Sequence, residues 1–490
     1  MTSEPSADAP TVKIKKLEFD KSEVLPQLFL NNLQAEYPEG KYTLDDIKGL
    51  LEKINNYYVK NGYLTSRAYV QAQDLANGVL KISLFEGKIG DVLPQDNQYT
   101  SDAYILEALD FPQAQVLNLN DLEQKIAFFN AANESKTKIA LRPGQAVGTT
   151  DIDAVVSEPQ RFSASAFTDN AGSHENGRYR VGLFTSVRKV MPFDLLQDKL
   201  NLGGITSRGS DAIFASYDVT EPYWLTTWTA GVDWSNSEIV AGDLRSLDVN
   251  GNFYNYYISV KRPFSVRDDM IVTAGLRANT KHGKNYVSDY KVQDVNTDTV
   301  SIFTDVLYLF NNGYWYNNFE ATQAAKIRHG DNSFAHFNYN GELQVGFADA
   351  FAFNVKGRAQ YSNDNFMPSS DQFQIGGSGS VRGYSEGMLI GDSGISFMNE
   401  IKYALPADGN WLNNAEAFVF YDFGQVWTDY EGQMKKKNET FIYSTGLGLR
   451  ADVINRFSGT FTMAFPLKKH DFNDNKRGLE VLFNLQAKLY

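Results

Sequence analysis

From residue 160 onward, apolar and polar residues alternate with a period of two, which predicts strands with two different faces. At residues 337–347 the odd positions other than Gly341 are aromatic or aliphatic, and the even positions carry Asn, Glu, Gln and Gly; residues 351–361 repeat the pattern. Sixteen such segments begin near Phe162, Arg178, Lys199, Ala212, Thr226, Asn250, Met270, Val300, Tyr314, Ala335, Phe351, Gly394, Ala415, Thr440, Phe457 and Gly478. An even number of strands can close with both chain ends on one side. We therefore predict an all-β barrel of sixteen antiparallel strands over residues 160–490.

The first 159 residues mix helical and strand patterns. Thr43 is predicted to cap a helix whose apolar positions include Ile47, Leu50 and Ile54 and which ends at Gly62. Before residue 88, strands are also predicted at 12–19, 66–74 and 78–86, with a helix at 25–35. From residue 88 onward, strands are predicted at 88–92, 138–141 and 150–156, with helices at 103–109 and 119–132. This order predicts two small α+β domains at 12–87 and 88–159. A polar leader at 1–11 without an apolar stretch is interpreted as the start of a mature chain from which the signal peptide is absent.

Composition agrees with strands that face lipid on one side and water on the other. Aromatic residues make up 13% of the chain, with 27 Tyr and 33 Phe, yet the mean hydropathy is −0.37. Alternating strands produce this combination because each apolar residue has a polar neighbour. No apolar run approaches the ~20 residues that a spanning helix needs, so any membrane span is predicted to consist of strands.

The residue types argue against several classes of chemistry. The chain has no Cys and five scattered His, which excludes disulfides and thiolate metal sites and leaves no His cluster with ligand spacing. A net charge of −13 gives no support to nucleic-acid binding. No phosphate-binding loop or nucleophile–base pair is evident. We therefore predict no enzyme activity, no cofactor and no metal site.

The connections between strands are predicted to alternate between short inner turns and longer outer loops, as in outer-membrane barrels. Inner turns are expected at 311–313, 349–350 and 454–456, and outer loops at 241–249, 282–299, 364–393, 428–439 and 468–477. The Gly-rich stretch G-G-S-G-S-V-R-G-Y-S-E-G at 376–387 then lies in the sixth outer loop, 364–393, between the eleventh and twelfth strands. Taken alone, this stretch could be an ordinary Gly-rich turn.

Two short motifs carry a resemblance to a known family. V-R-G-Y comprises Val381, Arg382, Gly383 and Tyr384 in the Gly-rich loop, and F-x-D-x-G comprises Phe420, Asp422 and Gly424 on one face of the thirteenth strand. Together they resemble the paired signature of outer-membrane polypeptide transporters, and most of all the two-partner secretion translocators of the TpsB type. The sequence G-V-L-K-I-S-L-F-E-G-K-I, residues 78–89 at the end of the first small domain, resembles the end of a polypeptide-transport-associated (POTRA) domain. Residues 142–159 resemble the turn and final strand of the family's second POTRA domain. For this second domain, any other small α+β domain remains the alternative.

The resemblance implies an inward-folded sixth loop, held by a charge pair between Arg382 and Asp422 with Phe420 and Gly424 beside it. It also implies a monomeric barrel in outer-membrane lipid, with periplasmic POTRA domains that bind a secreted, unfolded TpsA-type exoprotein. The cargo would be an adhesin, a haemolysin or a contact-dependent inhibition toxin. Family members often carry an N-terminal plug helix, and only eleven residues precede Val12 here. Unless a plug helix has been removed from the sequence, the sixth loop and other inward-folded segments are expected to close the pore. Alternatives are an insertase of the same superfamily, a diffusion porin and a soluble carbohydrate-binding β protein.

Overall fold

The computed structural model describes residues 10–327, 333–362, 364, 367–407, 409–428, 438–468 and 478–490. The chain divides into two compact units, Met1–Glu158 and Pro159–Tyr490. Within the described ranges, none of the helices is long and apolar enough to cross a membrane. The predicted leader lies outside the described residues except for positions 10 and 11.

The first half of the N-terminal unit packs two helices on small sheets. Its elements are β1 (Thr11–Ile14), β2 (Lys16–Phe19), α1 (Gln27–Glu36), β3 (Gly40–Thr43), α2 (Leu44–Lys60), β4 (Arg67–Tyr69) and β5 (Val79–Phe85). Strands pair in the order β2–β5–β4, and β1 pairs with β3. Thr43 caps α2 as predicted, through a reciprocal capping box with Asp46. The strand predicted at 12–19 is instead two strands, because the Lys15 backbone N–H turns away to bond the Gly78 carbonyl at 2.7 Å.

The second half repeats this architecture with β6 (Lys88–Gln95), α3 (Asp102–Leu109), α4 (Leu119–Ala132), β7 (Lys136–Pro143) and β8 (Thr149–Ser157). The sheet order is β6–β8–β7, with β6 parallel and β7 antiparallel to β8. Tyr104, Phe129 and Ile152 are fully buried between the helices and this sheet. The Leu119 backbone N–H bonds the Gly62 carbonyl at 2.9 Å, so the end of α2 and the start of α4 are joined directly.

The second unit is a closed barrel of sixteen antiparallel strands, which confirms the predicted fold class. Its strands, and the two short ones in its long loop, are β9 (Phe162–Asp169), β10 (Arg180–Arg188), β11 (Gln197–Thr206), β12 (Ser210–Thr220), β13 (Thr227–Glu238), β14 (Val249–Arg267), β15 (Met270–Val287), β16 (Tyr290–Phe310), β17 (Gly313–Ile327), β18 (Ala335–Ala348), β19 (Phe351–Ser362), β20 (Phe373–Ile375), β21 (Leu389–Gly391), β22 (Ser393–Ala404), β23 (Leu412–Thr428), β24 (Asn438–Val453), β25 (Phe457–Pro466) and β26 (Glu480–Lys488). The barrel closes where Asn484–Lys488 of β26 pairs with residues 165–169 of β9.

The predicted outer loop at 282–299 is wrong, and so is the predicted strand start at Val300. β15 continues to Val287 and β16 begins at Tyr290. Ser288 and Asp289 join them with positive φ angles of 47° and 68°, the backbone of a two-residue hairpin turn. β15 and β16 have 18 and 21 residues, about twice the length of a membrane-spanning strand. Their outer halves carry mostly polar residues on both faces, so the sequence shows no clear period-two alternation there.

The rule of short inner turns and long outer loops holds only in part. The inner connections 189–196 and 221–226 are longer than the outer connection 207–209. A carboxylate that accepts backbone hydrogen bonds stabilises each long inner turn. In the first, Asp198 accepts from the backbone N–H groups of Val190 and Met191 at 3.0 and 2.9 Å. In the second, Glu221 accepts from the backbone N–H of Tyr223 at 2.8 Å. The turns predicted near 311–313, 349–350 and 454–456 are present. The outer loops predicted at 428–439 and 468–477 lie largely outside the described residues.

Candidate functional site

The long loop, residues 363–392 between β19 and β22, carries the V-R-G-Y motif. Its strands β20 and β21 pair with each other and contact β23 of the barrel wall. Ile375 and Val381 of the loop are fully buried against Val426 and Ile442 of the wall. Burying side chains of this size stabilises the contact by about 1.5 to 3 kcal/mol each. The loop is therefore held to the wall by an apolar core as well as by its charges.

Arg382 makes the central polar contacts of the loop. Its Nε and Nη2 donate to the two carboxylate oxygens of Asp422 at 2.7 and 2.8 Å, and its backbone N–H donates to Asp422 at 3.1 Å. Its Nη1 donates to Glu400 on β22 at 2.5 Å. Arg382 is 5% exposed and Asp422 is completely buried. We call Arg382, Asp422 and Glu400 the tip anchor.

An aromatic ring lies under the tip anchor. The Arg382 guanidinium carbon is 3.7 Å from the centre of the Phe420 ring and 5.8 Å from that of Phe418. Phe418, Phe420, Asp422 and Gly424 share the buried face of β23, while Val419 and Tyr421 are exposed on the other. The alternation predicted for this strand therefore holds. A planar guanidinium can satisfy a carboxylate edge-on while its face rests on a ring, which lysine cannot do.

The tip anchor belongs to a larger charge network on β22, β23 and β24. Arg450 lies 3.7 Å from Glu400 and also pairs with Glu416. Lys402 lies 4.0 Å from both Glu400 and Glu416. With Arg382 and Asp422, three cations face three carboxylates, so the cluster is neutral. Lys402, Glu416 and Arg450 belong to no motif, so their role could not be predicted from the sequence.

Tyr384 and Gly383 hold the far side of the motif. The Tyr384 hydroxyl lies 2.9 Å from the carbonyl oxygens of Tyr443 and Lys468 and accepts from the Lys468 backbone N–H at 3.2 Å. Gly383 has φ +92°, and a Cβ there would lie 3.1 Å from the ring of Pro466. A side chain at this position would be strained by both backbone conformation and space.

Gly424 provides room for the loop on the wall. A Cβ at Gly424 would lie 2.9 Å from Val381 and 3.0 Å from Ile375, so the wall must lack a side chain at this point. Gly379 has open space around it and no left-handed φ. Gly376, Gly377 and Gly387 have the positive φ angles instead. All seven predicted site residues are thus brought together around the loop tip.

Across the described ranges, no group of three or more His, Asp or Glu is arranged to hold a metal ion. The site is instead a mechanical contact between an inward-folded loop and the wall of a barrel. A family model for haemolysin secretion/activation proteins of the ShlB/FhaC/HecB type matches residues 148–451, which span the second unit through β23 and most of β24.

The chain belongs to this family. A ShlB-type POTRA domain model also matches residues 12–87. The family assignment confirms the resemblance on which the motif interpretation rested. The chain is therefore an outer-membrane transporter of the two-partner secretion type, with its POTRA region in the periplasm. The family assignment favours this function over that of an insertase.

Individual relatives are distant but extend over most of the chain. The heme/hemopexin transporter protein HuxB of Haemophilus influenzae is 22% identical over 493 residues, covering 95% of this chain and 85% of the relative. The outer membrane transporter CdiB of Escherichia coli is 22% identical over 473 residues, covering 90% and 76%. The solved structure of CdiB from Escherichia coli superposes with a TM-score of 0.76 and 22% identity, covering 100% of this chain and 93% of that one. This likeness supports the fold of the ShlB/FhaC/HecB family member described here.

Proposed function

We propose that this transporter binds an unfolded TpsA-type exoprotein through its periplasmic POTRA domains, at 12–87 and 88–159, and passes it through a monomeric barrel to the cell surface. Cargo of the adhesin, haemolysin or contact-dependent toxin kind fits this class of transporter. The process needs no chemical step by the protein. The observation that best supports partner binding is an open sheet edge in the second POTRA domain.

Side-chain amides occupy backbone groups on both edges of the β2–β5–β4 sheet in the first POTRA domain. On β4, the Asn55 side chain accepts from the Ala68 backbone N–H at 2.7 Å and donates to the Ala68 carbonyl at 3.4 Å. On β2, the Gln34 amide donates to the Leu17 carbonyl at 3.2 Å. An edge whose backbone groups are already paired offers little to an incoming strand. These contacts argue against the β2–β5–β4 sheet as the place where a polypeptide adds.

The β7 edge is covered only at its beginning. The Asn130 side chain bonds both the N–H and the carbonyl of Thr137, at 2.7 and 2.9 Å. Backbone groups of Ile139 and Leu141 point in the same direction, away from β8, because strand residues alternate. Among the described residues, neither has a hydrogen-bond partner on that side. Two adjacent open positions suit an extended polypeptide added by main-chain bonds, which accept most side chains.

We further propose that the long loop is the gate of the pore. Arg382 and Tyr384 attach its tip to β22–β25, Val381 packs into the wall, and Gly383, Gly424, Asp422 and Phe420 make the close approach possible. A translocating chain needs the lumen that this loop occupies. Displacement of the loop would therefore be part of each transport cycle.

Deletion of residues 12–158 is expected to leave an inserted, folded barrel that secretes nothing. The barrel has its own closed hydrogen-bond network and needs no strand from the first unit. Co-expression with a cognate exoprotein, followed by assay of the medium, measures secretion; heat-modifiable migration on a gel checks the barrel. Continued secretion by the deletion variant would remove the proposed role of the POTRA domains.

Ile139→Pro is expected to reduce exoprotein binding by about tenfold or more, since strand addition depends on several main-chain hydrogen bonds of about 1 kcal/mol each. Proline removes an N–H that β8 does not use, so the domain should remain folded. Ile139→Val is the matched control, because it keeps the open N–H. Binding is measured with the full-length transporter in detergent and the N-terminal secretion domain of the exoprotein. Equal binding by the two variants would exclude the β7 edge.

A further inference from the structure

We propose that Lys281 and His336 form, with Asp371, a second anchor for the long loop, separate from the tip anchor and tightened when the His336 imidazole gains a proton. We call these three residues the outer anchor. The proposal concerns the position of the loop and does not depend on the identity of the exported protein.

Asp371 is the loop residue of the outer anchor. Its side chain is 1% exposed and accepts from Lys281 Nζ on β15 at 2.6 Å and from Ser370 Oγ at 2.7 Å. A carboxylate buried this completely is costly unless it is paired and hydrogen-bonded. Breaking the contact with Lys281 would leave that charge uncompensated. Asp371 therefore fixes the loop to the wall at the seventh barrel strand, whereas Asp422 lies on the thirteenth.

Neighbouring amide contacts hold the same part of the loop in shape. The Gln360 side chain on β19 donates to the carbonyls of Asp371 and Asp392 at 2.8 and 3.0 Å. The Asp392 carboxylate accepts from the Met367 backbone N–H and the Gln372 amide, each at 3.0 Å. The outer anchor (Asp371, Lys281 and His336) and the tip anchor (Arg382, Asp422 and Glu400) have no residue in common. The two anchors can therefore be released separately.

His336 on β18 is the unsatisfied member of the outer anchor. Its side chain is 6% exposed, and neither ring nitrogen has a hydrogen-bond partner among the described residues. Its Nε2 lies 3.9 Å from Asp371 Oδ1, within ion-pair range but too long for a hydrogen bond. Buried polar atoms are nearly always bonded. A small approach by a protonated ring would give His336 Nε2 a hydrogen bond to Asp371 Oδ1, the oxygen that also accepts from Lys281.

Charged groups near His336 come from two elements, the long loop and β15, whereas its cross-strand neighbours Thr322 on β17 and Ser362 on β19 are neutral. The long loop provides Asp371 and also Asp364, whose carboxylate accepts from the Ala335 backbone N–H at 2.7 Å; β15 provides the Lys281 ammonium. The Lys281 ammonium and the His336 imidazole thus both lie within ion-pair range of the Asp371 carboxylate. Imidazole is the ordinary side chain that changes charge between pH 5 and 8. Protonation of His336 would add a positive charge beside Asp371, so the outer anchor is expected to tighten as the pH falls.

Thiol labelling tests the proposal, because the chain has no cysteine. Met367→Cys places a probe at a position that is 5% exposed beside the outer anchor, and Ser369→Cys gives an exposed reference two residues away. Each is labelled in whole cells with a membrane-impermeant maleimide at pH 5.5 and 7.5. Dividing the two rates removes the intrinsic pH dependence of the reagent.

In the Met367→Cys protein with no other change, the labelling rate relative to Ser369→Cys should be about three- to tenfold lower at pH 5.5 than at pH 7.5. A decrease of this size corresponds to one added hydrogen bond. His336→Gln should abolish this pH dependence, and Asp371→Asn should label faster at both values. His282→Gln, on the same wall but in the outer hairpin, is the matched control and should behave like the parent. Heat-modifiable migration verifies each barrel. Unchanged pH dependence in His336→Gln, or no faster labelling in Asp371→Asn, would overturn the proposal.

Discussion

Arg382→Ala should stop export of the exoprotein while the barrel still inserts into the membrane. The substitution removes three side-chain hydrogen bonds from the loop tip and leaves the completely buried Asp422 without its cation. Loss of one partner from a buried ion pair costs about 3 to 5 kcal/mol. Exoprotein in the medium reports transport, and heat-modifiable migration reports folding. Arg382→Lys should also transport poorly, because it keeps the charge but loses the paired bonds to Asp422.

Asp422→Ala should be slightly milder than Arg382→Ala, since Arg382 would keep its bond to Glu400. The double variant should be little worse than Arg382→Ala, because both changes remove one shared interaction. Arg277→Ala is the matched control: Arg277 pairs with Glu320 at 3.3 Å and lies over the Phe303 ring at 5.1 Å, and it forms no ion pair with the described part of the long loop. Strictly additive defects, or equal loss of export in Arg277→Ala, would contradict a specific role for the tip anchor.

Gly383→Ala should abolish or strongly reduce export, whereas Gly379→Ala should leave it unchanged. The two glycines lie in the same loop, but only Gly383 has a left-handed φ, and only there would a Cβ meet the wall, at Pro466. Such backbone strain costs about 1 to 3 kcal/mol, and relieving it would shift Arg382 and Tyr384 out of register with their partners. Secretion and surface labelling of the loop in both variants provide the measurement.

If Gly379→Ala proved as harmful as Gly383→Ala, general stiffness of the loop would matter more than its contact with the wall. A normal Gly383→Ala protein would show that the loop tip can relax without loss of function. Either result would separate the geometry of the tip from its charges, because neither glycine takes part in the ion pairs.

The period-two pattern was sufficient to predict the barrel, its strand number and the inward face of β23, because each depends only on local alternation. The contact between Arg382 and Asp422 followed from the two motifs. The contact of Glu400 with Arg382 was not predicted, because it depends on the register of β22 against β23, in which Glu400 lies opposite Phe420. No local pattern specifies that register.

Other contacts of the long loop could not be predicted from the sequence, for different reasons. Tyr384 bonds main-chain carbonyls, which every residue possesses, so no residue type marks its partners. Lys281 and Asp371 are 90 residues apart and meet only because the barrel closes around the loop. The hairpin of β15 and β16 was not predicted because polar residues occupy most positions on both of its faces, so its sequence lacks the period-two alternation of apolar and polar residues.

That hairpin also offers a practical handle on living cells. Its tip consists of Ser288 and Asp289, followed by the highly exposed Tyr290, and lies at the end of the barrel opposite both termini of its wall. Lengthening a connection at such a point costs little chain entropy. A peptide epitope placed between Ser288 and Asp289 would be readable by antibody from outside an intact bacterium. The same position would be among the first parts of the molecule that a phage or an immune system encounters.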